Sequence, residues 1–211
     1  MTCPQRKPMR ADRAEPVDPK RRAVGRVLLL AGAGGMLRPV SAAPGDDVVA
    51  RLSAGGVVIS FRHALAPGTF DPPEFRLGDC RTQRNLSEDG REQARRIGRW
   101  FEARGLVPRE VSSSPWCRCV DTAQLAFGRY RVDPALGSPR GSTAQANALA
   151  LQRLGQAVVD AAARPGRFDV WVTHMFVLAD LTGEGSASGE GLVLVPGGPQ
   201  GRPRVVARLM V

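Results

Sequence analysis

At two places along the chain an apolar run ends abruptly on a residue able to do chemistry. Val57 to Phe61 reads VVISF behind Gly55 and Gly56, the pattern of a strand buried on both faces, and it stops at Arg62 and His63. Phe168 to Thr173 alternates, predicts a second strand, and gives way to His174. Between them, Leu86, Gly90, Ala94, Ile97 and Phe101 recur at intervals of three and four, one face of an amphipathic helix. Ser87 is placed to cap that helix, Glu88 and Asp89 suit its positive end, and Gly105 with Pro108 stops it. Glu110 to Ser113 predicts a brief strand; Ser114 and Pro115, a cap and a first-turn proline, open a helix running to about Phe127. Residues Thr143 to Ala163 form a third, Ala-rich helix closed by Pro165 and Gly166, and Val193 to Val195 and Arg204 to Leu209 are late strands.

Strands alternating with helices predict an α/β sheet packed between helices, with no internal repeat. Ala64 to Asn85 holds Pro67, Gly68, Pro72, Pro73 and Gly78 and has no steady period, so it is a long loop. Loops of that length inside a compact domain are usually functional.

The 211 residues allow one α/β domain plus a short appendage, and 43% apolar with 24% charged residues is ordinary for a globular chain. The net charge of +10 changes the picture only once it is located. Residues 1–42 hold nine Lys or Arg against three Asp or Glu, so +6 lies there and +4 in the remainder. A body with that excess and a single Tyr lacks the basic, aromatic surface of single-strand binders, which argues against a nucleic-acid partner.

The leader itself runs from a basic segment through the apolar stretch Val27 to Leu37 to small residues at Ser41, Ala42 and Ala43. That is the layout of a secretory signal cleaved after Ala42, and the stretch is too short and too Gly-rich to remain as a membrane span. The expectation is a domain over residues 43–211 exported to a periplasmic or extracellular setting; the alternative is a disordered basic leader on a cytoplasmic protein. Arg21 and Arg22 hint at twin-arginine export, although their neighbours match that signal poorly. The sequence does not reveal the oligomeric state.

After cleavage three cysteines remain, Cys80, Cys117 and Cys119. Cys80 can pair with either of the others and leave a free thiol, or all three can be small buried residues. A C-x-C pair with two distant histidines does not match the usual zinc ligand spacings, so no metal is expected.

Ligands of open α/β sheets gather beyond the carboxyl ends of the strands, where both histidines of the chain, His63 and His174, are expected. Arg62 precedes His63, and Arg118 lies in the first turn of the helix opened by Ser114 and Pro115. A phosphoryl group needs several fixed donors, which guanidinium forks and a helix start supply. Two arginines and a helix start therefore outline a phosphate cradle.

These residues bring out a resemblance. VVISFRHALAPG resembles the arginine-histidine signature of the histidine phosphatase superfamily, which includes cofactor-dependent phosphoglycerate mutases. NLSEDGREQARRIG resembles its Leu-x-x-x-Gly helix start, VSSSPWCRCVDTA its Ser-Pro-x-x-Arg-x-x-x-Thr-Ala segment, and VTHMFVLADLTG its second-histidine segment, followed by Ser-Gly-Glu at Ser188 to Glu190. The matches keep the family's order and cover nearly all of residues 48–211, closest in pattern to lipopolysaccharide core heptose phosphatase-like and phosphohistidine phosphatase-like members.

The resemblance implies a three-layer phosphoglycerate mutase-like sandwich, its central sheet mostly parallel with helices on both faces. It implies a phosphatase without cofactor or metal, in which His63 becomes phosphohistidine while Arg62, Arg118 and His174 hold the transferring oxygens. The substrate expected is a small phosphate ester such as a phosphosugar. Two departures stand out: Ala64 replaces the signature's glycine, and the acidic residue beyond the second helix has no clear counterpart in LAFGRYRVDPALG. Asp79, in the long loop, is the first candidate for the general acid, with Asp71, Glu74, Asp121 and Glu190 open. Arg84 and Asn85 either touch substrate or serve as turn residues. The rival expectation is a degenerate member of the same fold that binds phosphorylated ligands without turnover.

Overall fold

The computed structural model describes residues 46–140 and 142–211. The expected export signal over residues 1–42 lies outside them. The elements run α1 (Asp46–Ala54), β1 (Val57–Arg62), α2 (Glu88–Glu102), β2 (Glu110–Ser113), α3 (Cys117–Phe127), β3 (Arg131–Val132), α4 (Ala144–Ala162), β4 (Phe168–Thr173), α5 (Met175–Thr182), β5 (Gly191–Val195) and β6 (Arg204–Leu209). The strands form one sheet in the order β3-β2-β4-β1-β5-β6. β3, β2, β4 and β1 pair in parallel; β5 is antiparallel to both of its neighbours. The sheet is therefore mostly parallel, as expected.

Strand periodicity explains the layering. Val57, Ile59 and Phe61 of β1 point into a cluster with Val48 and Leu52 of α1, Ile97 and Phe101 of α2 and Ala123 of α3. Val58 points the other way, to Leu154 and Val158 of α4 and Val177 and Leu178 of α5. Successive side chains on a strand face opposite sides, so a continuous apolar run at the centre of the sheet needs helices on both.

Local rules set several boundaries. Ser87 Oγ accepts from Gly90 N–H at 3.1 Å and starts α2, and Thr143 Oγ1 accepts from Ala146 N–H at 3.2 Å and starts α4. Gly90 is required by close approach: a Cβ there would collide with the Leu65 carbonyl oxygen, where the long loop lies across the helix start.

The start of α3 differs from expectation. Its cap position is Trp116, which supplies no side-chain acceptor. The Cys117 N–H is instead satisfied by Gln83 Oε1 of the long loop, at 3.0 Å. α1, β3 and α5 were not anticipated: β3 spans two residues, and α5 is apolar over most of its surface and shows no amphipathic period.

Cys80 and Cys117 form a disulfide, leaving Cys119 as a buried thiol. The bridge joins the long loop to the first residue of α3 across a sequence separation of 37, which on chain-entropy grounds stabilises the fold by about 4 kcal/mol. No helix among the described residues is long and apolar enough to cross a membrane.

Candidate active site

The parallel pairing of β1 with β4 aligns Arg62 with Thr173, so the next residue of each strand end is a histidine. The rings of His63 and His174 lie 5.6 Å apart, centre to centre. His63 is 2% exposed, its backbone N–H donates to Thr173 O at 2.9 Å, and its Nδ1 stands 2.8 Å from Ala64 O. A carbonyl can only accept, so the proton belongs on Nδ1 and Nε2 keeps a bare lone pair. Burial pushes the His63 pKa down to about 3; the Ala64 carbonyl opposes this, and Arg118, Arg84 and Arg62 add to it. The ring is thus a neutral base at any ordinary pH.

His174 is 3% exposed, and burial first, then Arg118 and His63, hold it well below the usual histidine value. Its Nε2 lies 2.8 Å from Ser114 Oγ, and Arg118 Nη2 approaches its Nδ1 at 3.4 Å. The network places the proton on Nε2, donating to Ser114. Ser114, read from sequence as a helix cap, is spent instead on orienting this ring.

Three guanidiniums converge on the histidines. Arg62 donates through Nη1 to Ser186 O at 3.0 Å, which braces it against the turn before β5. Arg118, 3% exposed, donates to Asp71 Oδ1 at 2.7 Å and Oδ2 at 3.2 Å. Arg84 donates to Ala66 O. Arg62, Arg84 and Arg118 each also carry a buried Nε–H with no partner, and all three line one pocket with His63 and His174. Buried donors are almost always satisfied, so three arginines that each keep an unmet N–H and together line one pocket make it a candidate anion site. Burial and the mutual repulsion of these cations push Arg62 and Arg84 below the ordinary arginine value, a cost that an incoming anion relieves.

Asp71 is the carboxylate among the residues lining this pocket. Burial works against its ionisation, but hydrogen bonds from Arg118, the Arg84 N–H and Trp116 outweigh that and hold it below the usual carboxylate range. Asp79 requires a correction. It is outside the pocket lining, accepts from Arg81 N–H at 3.2 Å and Arg81 Nε at 2.9 Å, and is thereby held ionised in a surface turn. Asn85 is also outside the lining; its Nδ2 donates to Cys80 O and Gln83 O, so it is a turn residue. Asp121 and Glu190 are bound to Arg91 and Arg208.

Among the described residues, no group of three His, Cys, Asp or Glu side chains gathers to hold a metal. Ala64 fits where the resemblance led one to expect glycine: it is fully buried, and its N–H donates to Thr122 Oγ1 at 3.1 Å.

Residues 74–137 match the family model described as the histidine phosphatase superfamily, branch 1. Three solved structures share the architecture over nearly their whole length. The protein histidine phosphatase SixA complexed with tungstate aligns with TM-score 0.50 at 17% identity, covering 73% of this chain and 96% of that one. The product of open reading frame Rv3214 from Mycobacterium tuberculosis aligns with TM-score 0.52 at 14% identity, covering 72% and 95%.

Over residues 74–137 the chain matches that superfamily's model, and over nearly three quarters of its length it shares the fold of these structures.

The alpha-ribazole phosphatase from Shigella flexneri aligns with TM-score 0.50 at 14% identity, covering 72% of this chain and 95% of that one. No match was found among curated proteins. The family match takes in Arg84 and Arg118 but neither histidine, so the pairing of His63 with His174 rests on the geometry given above.

Burial of two neutral imidazoles has a measurable consequence. Both folded pKa values lie below the unfolded value near 6.5, so the unfolded chain takes up protons that the folded chain refuses. Stability is therefore complete above about pH 6.5 and falls as pH drops, for His63 down to about pH 3. At about 1.4 kcal/mol per pH unit, His63 alone costs about 2 kcal/mol between pH 7 and pH 5. Asp71 stays ionised across this window and adds no slope. Thermal unfolding is expected to show a melting temperature several degrees lower at pH 5 than at pH 7, and His63→Asn should remove roughly half of that difference. An equal drop in both proteins would contradict the assignment.

Proposed function

We propose that the chain is a metal-independent phosphatase that hydrolyses small phosphate monoesters through a phosphohistidine on His63. The observation that carries this reading is the pocket in which an unprotonated, solvent-shielded imidazole faces three guanidiniums with unmet N–H donors. The bare Nε2 attacks phosphorus, an N–P bond forms, and the P–O ester bond breaks in line. Arg62, Arg84 and Arg118 hold the equatorial oxygens, while His174, its Nε2–H given to Ser114 and its Nδ1 facing Arg118, positions the Arg118 guanidinium beside them. Water then attacks the phosphohistidine, phosphate leaves and the imidazole is restored.

The leaving oxygen needs a proton. A dianion bound to Arg118 competes with Asp71 for the same guanidinium and repels its charge, which raises the affinity of Asp71 for a proton. Asp71, rather than Asp79, is therefore positioned as the general acid. The resting Asp71–Arg118 pair also favours a second reading, since it leaves no carboxyl already poised as an acid: a module that binds phosphorylated ligands without turnover.

The alpha-ribazole phosphatase among the similar structures supports a small phosphorylated substrate. The basic-apolar leader and the Cys80–Cys117 bridge support export to an oxidising compartment, where such a bond persists.

The test is hydrolysis of p-nitrophenyl phosphate in excess EDTA between pH 4.5 and pH 7.5. Turnover that survives the chelator is expected. Loss of turnover with EDTA would overturn the metal-free mechanism, and phosphate binding with no turnover at any pH would establish the binding module.

A further inference from the structure

The phosphate pocket does not end at its arginines. Asp71, Ser138 and Arg140 line it and also line a second, larger cleft of about 610 Å³. That cleft has apolar walls of Pro72, Phe75, Leu77 and Trp116 beside the polar Ser138, Arg140 and Ser142, and it continues past Leu77 and Trp116 into a further hollow of about 440 Å³ that reaches Leu149 on α4. Each volume falls in the range of small-molecule sites. The floor is rigid: Phe75 stacks on Trp116 at 5.5 Å and 12°, Trp116 lies edge-on to His174 at 5.2 Å, and Trp116 Nε1 donates to Asp71. The Cys80–Cys117 bridge fixes the loop that carries the Phe75 and Leu77 wall to the helix start that carries Trp116.

Two large apolar side chains are left in water along this path, Leu77 at 53% and Leu149 at 59% exposed, and the ring of Phe70 at the pocket rim is covered on one face only by the Arg140 guanidinium, 3.9 Å away. Scattered exposed leucines mean little, but here they border one continuous groove that opens on the phosphate pocket. Asp71 stands at the junction, where the ester oxygen must collect its proton.

We infer that this groove is the leaving-group subsite and that the substrate class is a phosphomonoester of an alcohol with an extended apolar body, such as an aralkyl or hydrocarbon chain, rather than a polyol phosphate. The inference rests on the phosphatase reading, because only there is the group beyond the ester oxygen a leaving group. Arginines and the buried His63 hold the phosphoryl end, and the proline, phenylalanine and leucine walls remove the apolar end from water. Leu77 and Leu149 are then specificity residues that touch no part of the phosphate site.

Non-hydrolysable phosphonates test the subsite without relying on turnover. By titration calorimetry on the full chain, 3-phenylpropylphosphonate should bind at least about tenfold more tightly than methylphosphonate. In the double variant Leu77→Ser, Leu149→Ser, exposed positions whose change leaves the fold intact, the preference should fall below about threefold with methylphosphonate affinity unchanged. Equal affinities in the parent protein, or a preference that survives in the variant, would overturn the subsite. A preference that disappears in the variant, together with no hydrolysis of p-nitrophenyl phosphate, would uphold the subsite and refute the phosphatase reading instead.

Discussion

Replacing His63 with alanine is expected to lower kcat/KM for p-nitrophenyl phosphate by at least about 10⁴-fold, because the nucleophile of a covalent mechanism has no substitute in the pocket. The other imidazole cannot take over. His174 Nε2 is committed to Ser114, and its Nδ1 faces Arg118, so it has no free, unprotonated nitrogen directed at an ester. The variant should still fold: the His63 side chain bonds only to the adjacent Ala64 carbonyl, so truncation cuts no link between elements. It also removes a buried imidazole with an unfavourable environment. Inorganic phosphate should continue to bind, since Arg62, Arg84 and Arg118 remain. Activity within tenfold of the parent protein, with an unchanged circular dichroism melt, would exclude His63 as the nucleophile.

Arg118→Ala is expected to combine a catalytic loss with a structural one. Loss of one fixed donor to the transferring phosphoryl group should reduce kcat/KM by about 10³-fold. Stability should fall as well, because the side chains of Arg118 and Asp71 are only 4% and 14% exposed and the variant strands a carboxylate. A fully buried broken pair costs about 3–5 kcal/mol; partial access of Asp71 to water reduces this to about 2–3 kcal/mol. The second substitution separates the two effects. Asp71→Asn in the Arg118→Ala background should recover most of the denaturation midpoint and none of the activity. If activity returns with stability, Arg118 serves only to hold the loop in place.

Most of the sheet and three of its flanking helices, α2, α3 and α4, were legible in the sequence because their signals are local. β1 and β4 are apolar runs of strand length, and the Ser87 and Thr143 caps accept from N–H groups three residues ahead. α5 escaped because Met175–Thr182 is apolar over most of its surface, and burial against the sheet, rather than amphipathic spacing, holds it helical.

The site divides in the same way. Arg62, His63, Arg118 and His174 could be placed by strand ends and a helix start. Ser114 satisfied every local rule for a cap and was nevertheless claimed by a histidine sixty residues away in sequence. No local code distinguishes Asp71 from Asp79: both are acids in one irregular loop. Which of them turns inward depends on Cys80 meeting Cys117, on Gln83 satisfying the Cys117 N–H, and on Arg118 being within reach, all of them long-range events.

The parallel register of β1 and β4 joins chain segments more than a hundred residues apart, since Val57 lies opposite Phe168. During synthesis, then, the first imidazole and its arginine emerge long before the strand that completes their surroundings. A nascent or truncated polypeptide ending before β4 holds a histidine with no partner and no shielding from water, and so has no chemistry to release. The pairing of His63 with His174 is complete only when β4 slots between β2 and β1, and non-local closure of this kind is a slow step in folding.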